Sequence, residues 1–101
     1  MSSSNSPDNI AFIEIPYPGD HCPLCVYMVE VVEEAVKKFS ERVRWEKVVL
    51  KRRNGAMRFA ELSVKNKGVA PMPSLFINEK LAFDMIPPVE ELEEYLEEIL
   101  K

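Results

Sequence analysis

The clearest pattern of apolar and polar positions lies in residues 25–40, where apolar side chains recur at steps of three and four residues. The opposite side carries charged pairs four residues apart, Glu33 with Lys37 and Glu34 with Lys38. An apolar repeat of this period with outward i,i+4 ion pairs is typical of an amphipathic helix. We therefore predict the first helix here.

Four shorter apolar segments predict strands. Residues 9–15 are dense in Ile and Phe and are followed by Pro16, Pro18 and Gly19, which we expect to end a buried strand. Residues 42–50 are rich in β-prone side chains and end at a basic run and the turn pair Asn54-Gly55. Residues 74–77 and 81–83 are separated by three polar residues, a spacing that favours an antiparallel hairpin.

Two further segments predict helices. Residues 57–67 are compatible with a helix that has Met57, Ala60 and Val64 along one side and Gly68 as its C-terminal stop. After Pro87-Pro88, an apolar stripe with acidic residues in the first turn predicts a last helix. The stripe consists of Val89, Leu92, Leu96 and Ile99.

The predicted order is strand, helix, strand, helix, strand, strand, helix, which is a βαβ unit followed by a ββα unit. We expect an α/β fold with a four-stranded mixed sheet flanked by helices. A right-handed crossover makes the first two strands parallel, so both end at the same edge of the sheet. The chain of 101 residues has room for one domain, which we assign to residues 10–101, with residues 1–9 as a flexible tail.

Composition and charge restrict the classes of function. The net charge is −4, and the last fourteen residues are strongly acidic, which argues against a nucleic-acid surface. No apolar run approaches the roughly 20 residues needed to span a bilayer, and residues 1–9 do not resemble a signal peptide. We therefore expect a cytoplasmic protein, where a pair of cysteines is more often catalytic or metal-binding than a structural bridge.

The chain's two cysteines lie in Cys22-Pro23-Leu24-Cys25, between the first predicted strand and the first helix. Unpaired backbone N–H groups and the helix dipole at a helix N-terminus favour a thiolate, the nucleophilic form of cysteine. Cys25, about one turn further on, is placed to attack a mixed disulfide formed by Cys22. Pro23 suits the first helical turn, and Leu24 adds an apolar surface near the sulfur atoms.

These residues resemble the thioredoxin and glutaredoxin superfamily, whose members carry Cys-x-x-Cys between the first strand and the first helix. The Cys-Pro-x-Cys form is most similar to glutaredoxins, and Met72-Pro73 matches the cis-proline that opens a later strand in this family. The resemblance implies a thioredoxin-like fold, with Cys22 and Cys25 catalytic. It also implies a substrate groove that includes Pro23, Leu24, Met72 and Pro73.

Four other residues are candidate modulators of the cysteines. The resemblance suggests Glu14 as a buried proton acceptor, although we favour a solvent-facing strand residue at this position. His21 directly precedes Cys22, where it could stabilise a thiolate or bind a metal. Arg52 and Arg53, in a basic segment after the second strand, fall at the cysteine edge of the predicted sheet and could steer anionic or disulfide partners.

The resemblance implies thiol–disulfide oxidoreductase activity in electron transport and cell redox homeostasis. Expected partners are disulfide-containing proteins or small thiols, together with an upstream reductase or glutathione. No cofactor, metal, nucleic acid or membrane is expected, and we expect a monomer. Two alternatives stay open: a protein that binds Cu(I), zinc or an iron–sulfur cluster through the same cysteines, and a redox-inert binding module of the same fold.

Overall fold

The computed structural model of the protein describes residues 10–101, so the tail predicted for residues 1–9 lies outside the described residues. The described elements follow the predicted order. They are β1 (Ala11–Tyr17), α1 (Pro23–Val36), β2 (Val43–Val49), α2 (Arg53–Lys65), β3 (Leu75–Ile77), β4 (Lys80–Phe83) and α3 (Val89–Ile99), with a short 3-10 turn at Ser40–Arg42 before β2. Within residues 10–101, no helix is long and apolar enough to cross a membrane.

The four strands form one mixed sheet in the order β2-β1-β3-β4. β1 pairs in parallel with β2 along its whole length, from Ala11 beside Val43 to Tyr17 beside Val49. β3 is antiparallel to both β1 and β4. This confirms the predicted mixed sheet, and we call the edge where β1 and β2 end, at Tyr17 and Val49, the cysteine edge.

β1 extends further than predicted, because Pro16 continues the strand instead of ending it. Along β1, the backbone N–H and C=O groups of successive residues point in turn to β2 and to β3. Those of Phe12 point to β3, because the Phe12 carbonyl accepts the Asn78 N–H at 2.9 Å. Pro16 therefore also faces the β3 side, but the paired register there covers only Ile13 and Glu14. The missing N–H of proline thus removes no hydrogen bond from the ladder.

The β3–β4 connection is tighter than the three polar residues suggested. β4 begins at Lys80, which leaves only Asn78 and Glu79 in the turn, with φ values of 52° and 71°. Two successive positive φ angles are the signature of the hairpin turn whose twist matches that of its strands. The turn therefore closes the hairpin at the edge of the sheet opposite the cysteines.

One face of the sheet carries the main core, beneath α1 and α3. Ile13, Ile15 and Tyr17 alternate along β1 and point to this face, as the period-two geometry of a strand requires. Helix α1 ends at Val36 instead of residue 40, and Lys37–Phe39 form a turn. The core residues that α1 and α3 contribute include Cys25, Met28, Val32, Leu92 and Leu96.

The other face is covered by α2, which begins at Arg53, four residues before the predicted start. A smaller cluster of Leu62, Ala70 and Phe76, with Phe59 against it, holds α2 to the sheet. The predicted side with Met57, Ala60 and Val64 faces solvent, and Met57 and Val64 are 62% and 78% exposed.

A buried ion pair joins α2 to the central strand. The Arg58 guanidinium donates to both carboxylate oxygens of Glu14, through Nε at 2.6 Å and Nη2 at 2.9 Å. Glu14 is only 3% exposed, so our preference for a solvent-facing residue was wrong. Arg58 also contacts Glu61 and Glu79, and hydrogen bonding to Glu14 is the largest cause of its raised pKa.

The hairpin is fastened to the C-terminal end of α2. Glu79 accepts from Lys65 at 2.8 Å and from Arg58 at 2.9 Å, and these two hydrogen bonds lower the pKa of its carboxyl group. The Asn66 side chain donates to the Glu79 carbonyl at 3.0 Å and accepts from the Leu81 N–H at 2.9 Å. Side-chain amides thus satisfy backbone groups that the short hairpin leaves unpaired.

Gly55 allows the first turn of α2 to lie directly against the end of β2. A Cβ atom added at this glycine would lie 1.9 Å from the Val49 carbonyl oxygen. No side chain fits at that separation without movement of backbone. The close approach fixes the start of α2 at the cysteine edge.

We predict that Gly55→Ala lowers the free energy of unfolding by about 3 kcal/mol, because the added methyl group displaces backbone atoms. Helix propensity alone predicts the opposite sign, a gain of about 1 kcal/mol. Urea denaturation distinguishes the two, with Ala60→Ser on the exposed side of α2 as the control. An unchanged or increased stability would contradict the close packing described for Gly55.

We also predict that Arg58→Met lowers the free energy of unfolding by about 3 kcal/mol, since it leaves the Glu14 carboxylate buried without its cation. The double variant Glu14→Leu with Arg58→Met should recover most of this loss, because it removes both charges. Arg53→Met, at an exposed position of the same helix, is the control and should change stability by less than about 0.5 kcal/mol. Equal stability of Arg58→Met and wild type in urea would show that the pair is not needed.

Candidate redox site

The two cysteines lie where β1 gives way to α1, at the cysteine edge. Cys22 is the N-cap residue of α1 and is joined to Cys25 by a disulfide, with their Cα atoms 5.3 Å apart. Cys25 is 0% exposed and belongs to the main core, whereas Cys22 is partly exposed. An incoming reagent can therefore reach Cys22 but not Cys25.

The backbone around Cys22 is arranged to favour negative charge on its sulfur. The Cys25 N–H donates to Cys22 Sγ at 3.3 Å, as an N-cap hydroxyl would accept it in other helices. The Cys22 N–H is held by the Gly19 carbonyl at 3.2 Å, and its own carbonyl accepts the Val26 N–H at 3.0 Å. The sulfur thus sits at the positive end of the dipole of α1.

Of the four predicted groove residues, two lie in the first turn of α1 and two precede β3. Pro23 and Leu24 occupy the first turn of α1, and Leu24 is 55% exposed. The Met72-Pro73 peptide bond is cis, as the resemblance implied, and Met72 is 39% exposed. Because β3 is antiparallel to β1, the Met72-Pro73 segment before its first residue lies toward the cysteine edge.

The loop between β1 and Cys22 is ordered by Tyr17 and Asp20. The Tyr17 hydroxyl donates to the Asp20 carboxylate, and this hydrogen bond is the main reason that the pKa of Tyr17 is raised. The Lys47 ammonium lies 4.5 Å from the centre of the Tyr17 ring, a cation–π contact. Sequence reasoning missed this group, although an aromatic residue at the strand end with Asp three residues later was a visible signal.

His21 and the basic segment are also at the cysteine edge. The His21 imidazole lies over Gly19, because a Cβ built on that glycine would be 2.8 Å from Nδ1. Among residues 10–101, no hydrogen bond joins this imidazole to Cys22. Arg52 and Arg53 are exposed where α2 begins.

Glu14 is not brought to Cys25. Its neighbours Ile13 and Ile15 face the core that contains Cys25, so strand alternation directs Glu14 to the opposite face of the sheet. Its carboxylate is held by Arg58 on that face. The structure therefore gives Glu14 a place in the attachment of α2 and not beside the cysteine sulfurs.

A cleft of about 480 Å³ opens on the Glu14 side, between α2 and the β2 half of the sheet. Arg52 and Arg58 line it together with Phe12 and Glu14. Within the described part of the chain, no three His, Cys, Asp or Glu side chains are grouped so as to hold a metal ion.

The raised pKa of Tyr17 predicts a specific dependence of stability on pH. The unfolded tyrosine ionises near pH 10, while the folded one keeps its proton to higher pH. Stability is therefore undiminished below about pH 10 and falls as the pH rises through the folded pKa. In an absorbance titration of tyrosinate, Tyr17→Phe should remove a late-ionising group, whereas Tyr27→Phe should leave it. Persistence of the late phase in Tyr17→Phe would contradict this assignment.

Comparison with known proteins identifies the fold. No family model and no curated protein sequence matches the chain. A solved structure described as thioredoxin-2, a component of the malaria parasite protein secretion machinery, matches with a TM-score of 0.65 and 13% identity, over 88% of this chain and 82% of that one. Another, described as a malarial protein, matches with a TM-score of 0.65 and 14% identity, over 91% and 99%. The chain thus has the thioredoxin-like fold that its sequence predicted, with the Cys-x-x-Cys pair between the first strand and the first helix.

Proposed function

We propose that the protein is a thiol–disulfide oxidoreductase that reduces or exchanges disulfides of protein or small-molecule substrates. The observation that carries this proposal is the unequal placement of the two cysteines. Cys22 is accessible at the N-terminus of α1, and Cys25 is fully buried one turn deeper. Such a pair has one sulfur for attack and one for resolution.

In the first step, the Cys22 thiolate attacks one sulfur of the substrate disulfide. A bond forms between Cys22 Sγ and that sulfur, the substrate S–S bond breaks, and the other substrate sulfur leaves as a thiolate that takes up a proton. The Cys25 N–H, 3.3 Å from Cys22 Sγ in the disulfide form, supports the negative charge before attack. Burial keeps Cys25 from competing for the substrate.

In the second step, Cys25 loses its proton and attacks Cys22 Sγ in the mixed disulfide. The Cys22–Cys25 bond forms, the mixed disulfide breaks, and the second substrate sulfur is released as a thiol. Each cycle therefore moves two electrons from the cysteine pair to the substrate. An upstream reductase or glutathione must return them, and we place this cycle in the cytoplasm.

Exposed apolar side chains toward the cysteine edge supply a surface for the substrate. Leu24 on α1 and Met72 before cis-Pro73 are both exposed, although each is apolar. Burying such side chains against a substrate is favourable by about 25 cal/mol per Å² of apolar surface. We propose that they hold the chain that carries the disulfide while its sulfur faces Cys22.

Substitution of each cysteine tests the mechanism. Cys22→Ser should abolish disulfide reduction, since the buried Cys25 cannot reach the substrate. Cys25→Ser should still attack and should accumulate mixed disulfides, visible by mass spectrometry and released by dithiothreitol. Equal turnover by both variants and wild type would overturn the mechanism.

A titration in glutathione and dithiothreitol buffers provides the companion measurement. A reversible two-electron transition of the Cys22/Cys25 pair at about −200 to −270 mV is expected for a working reductant of this kind. Thiols that never pair in oxidising buffer, or that pair only after a chelator has removed a metal, would favour a metal-binding protein or a binding module instead.

A further inference from the structure

Three consecutive exposed cations, Lys51, Arg52 and Arg53, follow β2 and end at the first residue of α2, and we call them the cationic loop. None of the three makes an ion pair with another residue of the described range 10–101. The chain as a whole carries a net charge of −4. The loop is thus a local concentration of positive charge on an acidic protein.

Backbone contacts attach this cationic loop to the segment that carries Cys22. The Leu50 N–H donates to the Tyr17 carbonyl at 2.9 Å, and the Arg52 N–H closes a turn onto the Val49 carbonyl at 3.1 Å. The start of the loop is therefore held to the end of β1.

The side chain of Lys51 extends toward the cysteine loop. Its Cε lies 3.5 Å from the position that a Cβ on Gly19 would occupy. Gly19 in turn accepts the Cys22 N–H through its carbonyl. The Lys51 side chain therefore lies against the residue that holds the Cys22 N–H.

Nearby carboxylates do not neutralise the loop. The free carboxylates nearby are fewer than the loop's cations: Asp20 accepts the neutral Tyr17 hydroxyl and keeps its charge, and Glu46 lines the same cleft as Arg52. Glu14 in that cleft is already paired with Arg58. Asp84 follows β4, which lies at the far side of the sheet from β2 in the order β2-β1-β3-β4. The cysteine edge is therefore positive on its β2 side.

We propose that the cationic loop binds acidic residues that flank the disulfide of a protein or peptide substrate. This inference rests on the proposed function, because a substrate must then carry a disulfide, which nucleic acids and lipid headgroups lack. Three separate cations complement several carboxylates along a peptide better than one carboxylate of a small molecule. The loop thus selects among disulfides through the charge of their neighbours.

The test compares three cyclic peptides that share one disulfide ring and differ only in flanking residues, which are Asp, Asn or Lys. Second-order rates of their reduction by the dithiol protein are measured at about 10 mM and about 1 M salt. The loop variant is K51Q/R52Q/R53Q. The control variant R44Q/K67Q/K80Q removes the same charge from exposed positions that make no ion pair among residues 10–101. Arg44 is the second residue of β2, Lys80 the first of β4, and Lys67 follows α2, so all three lie toward the opposite edge.

At low salt we expect the Asp peptide to be reduced about tenfold faster than the Lys peptide, and this preference should largely disappear at high salt, where charges are screened beyond about 3 Å. The loop variant should reduce the Asp peptide at the rate of the Asn peptide, while the control variant should keep the preference. Equal rates for all three peptides, or equal loss of preference in both variants, would overturn the inference while the oxidoreductase proposal stands. Failure to reduce any peptide would overturn both.

Discussion

The parallel pairing of β1 with β2 determines where the chemically important segments meet. Because both strands run the same way over their full length, the loop to Cys22 and the loop to α2 leave the sheet at the same edge. Had the strands been antiparallel, the basic segment would begin at the opposite edge from the cysteines. The close packing of Gly55 on Val49 then fixes α2 against that edge. Accessibility of Cys22 and its positive surroundings both depend on this one topological choice.

On the other face of the sheet, the ion pair of Glu14 with Arg58 joins α2 to β1. Among residues 10–101, only α2 covers that face, and its apolar cluster is small. Burying a carboxylate in the central strand is unfavourable unless a cation accompanies it, so the pair ties the position of α2 to the register of β1. Glu79 and Asn66 extend the same attachment to the β3–β4 hairpin. Charge and hydrogen bonding here specify geometry that the apolar contacts alone would leave loose.

Much of the fold was predictable because its signals are local. The stripe of α1, the hairpin spacing and the prolines before α3 each gave the correct element, and the Cys-x-x-Cys spacing with Met72-Pro73 gave the correct fold. The errors arose where tertiary contacts override local pattern. Pro16 continues β1 because no partner needs its N–H, and Met57 and Val64 are exposed because Phe59 and Leu62 face the sheet instead. The burial of Glu14 could not be foreseen, since its partner lies 44 positions away in sequence.

The outer edge of β2 has a consequence for association between copies of the chain. Of the strands in the described part of the chain, β2 is the last on its side of the sheet, so its outward backbone groups could accept a further strand. Its middle carries exposed charges of both signs at Arg44, Glu46 and Lys47. A strand of another chain that paired with this edge would have to remove water from these charged side chains. β2 thus pairs with β1 on one side. On its other side, its charged residues disfavour sheet extension and fibrous aggregation.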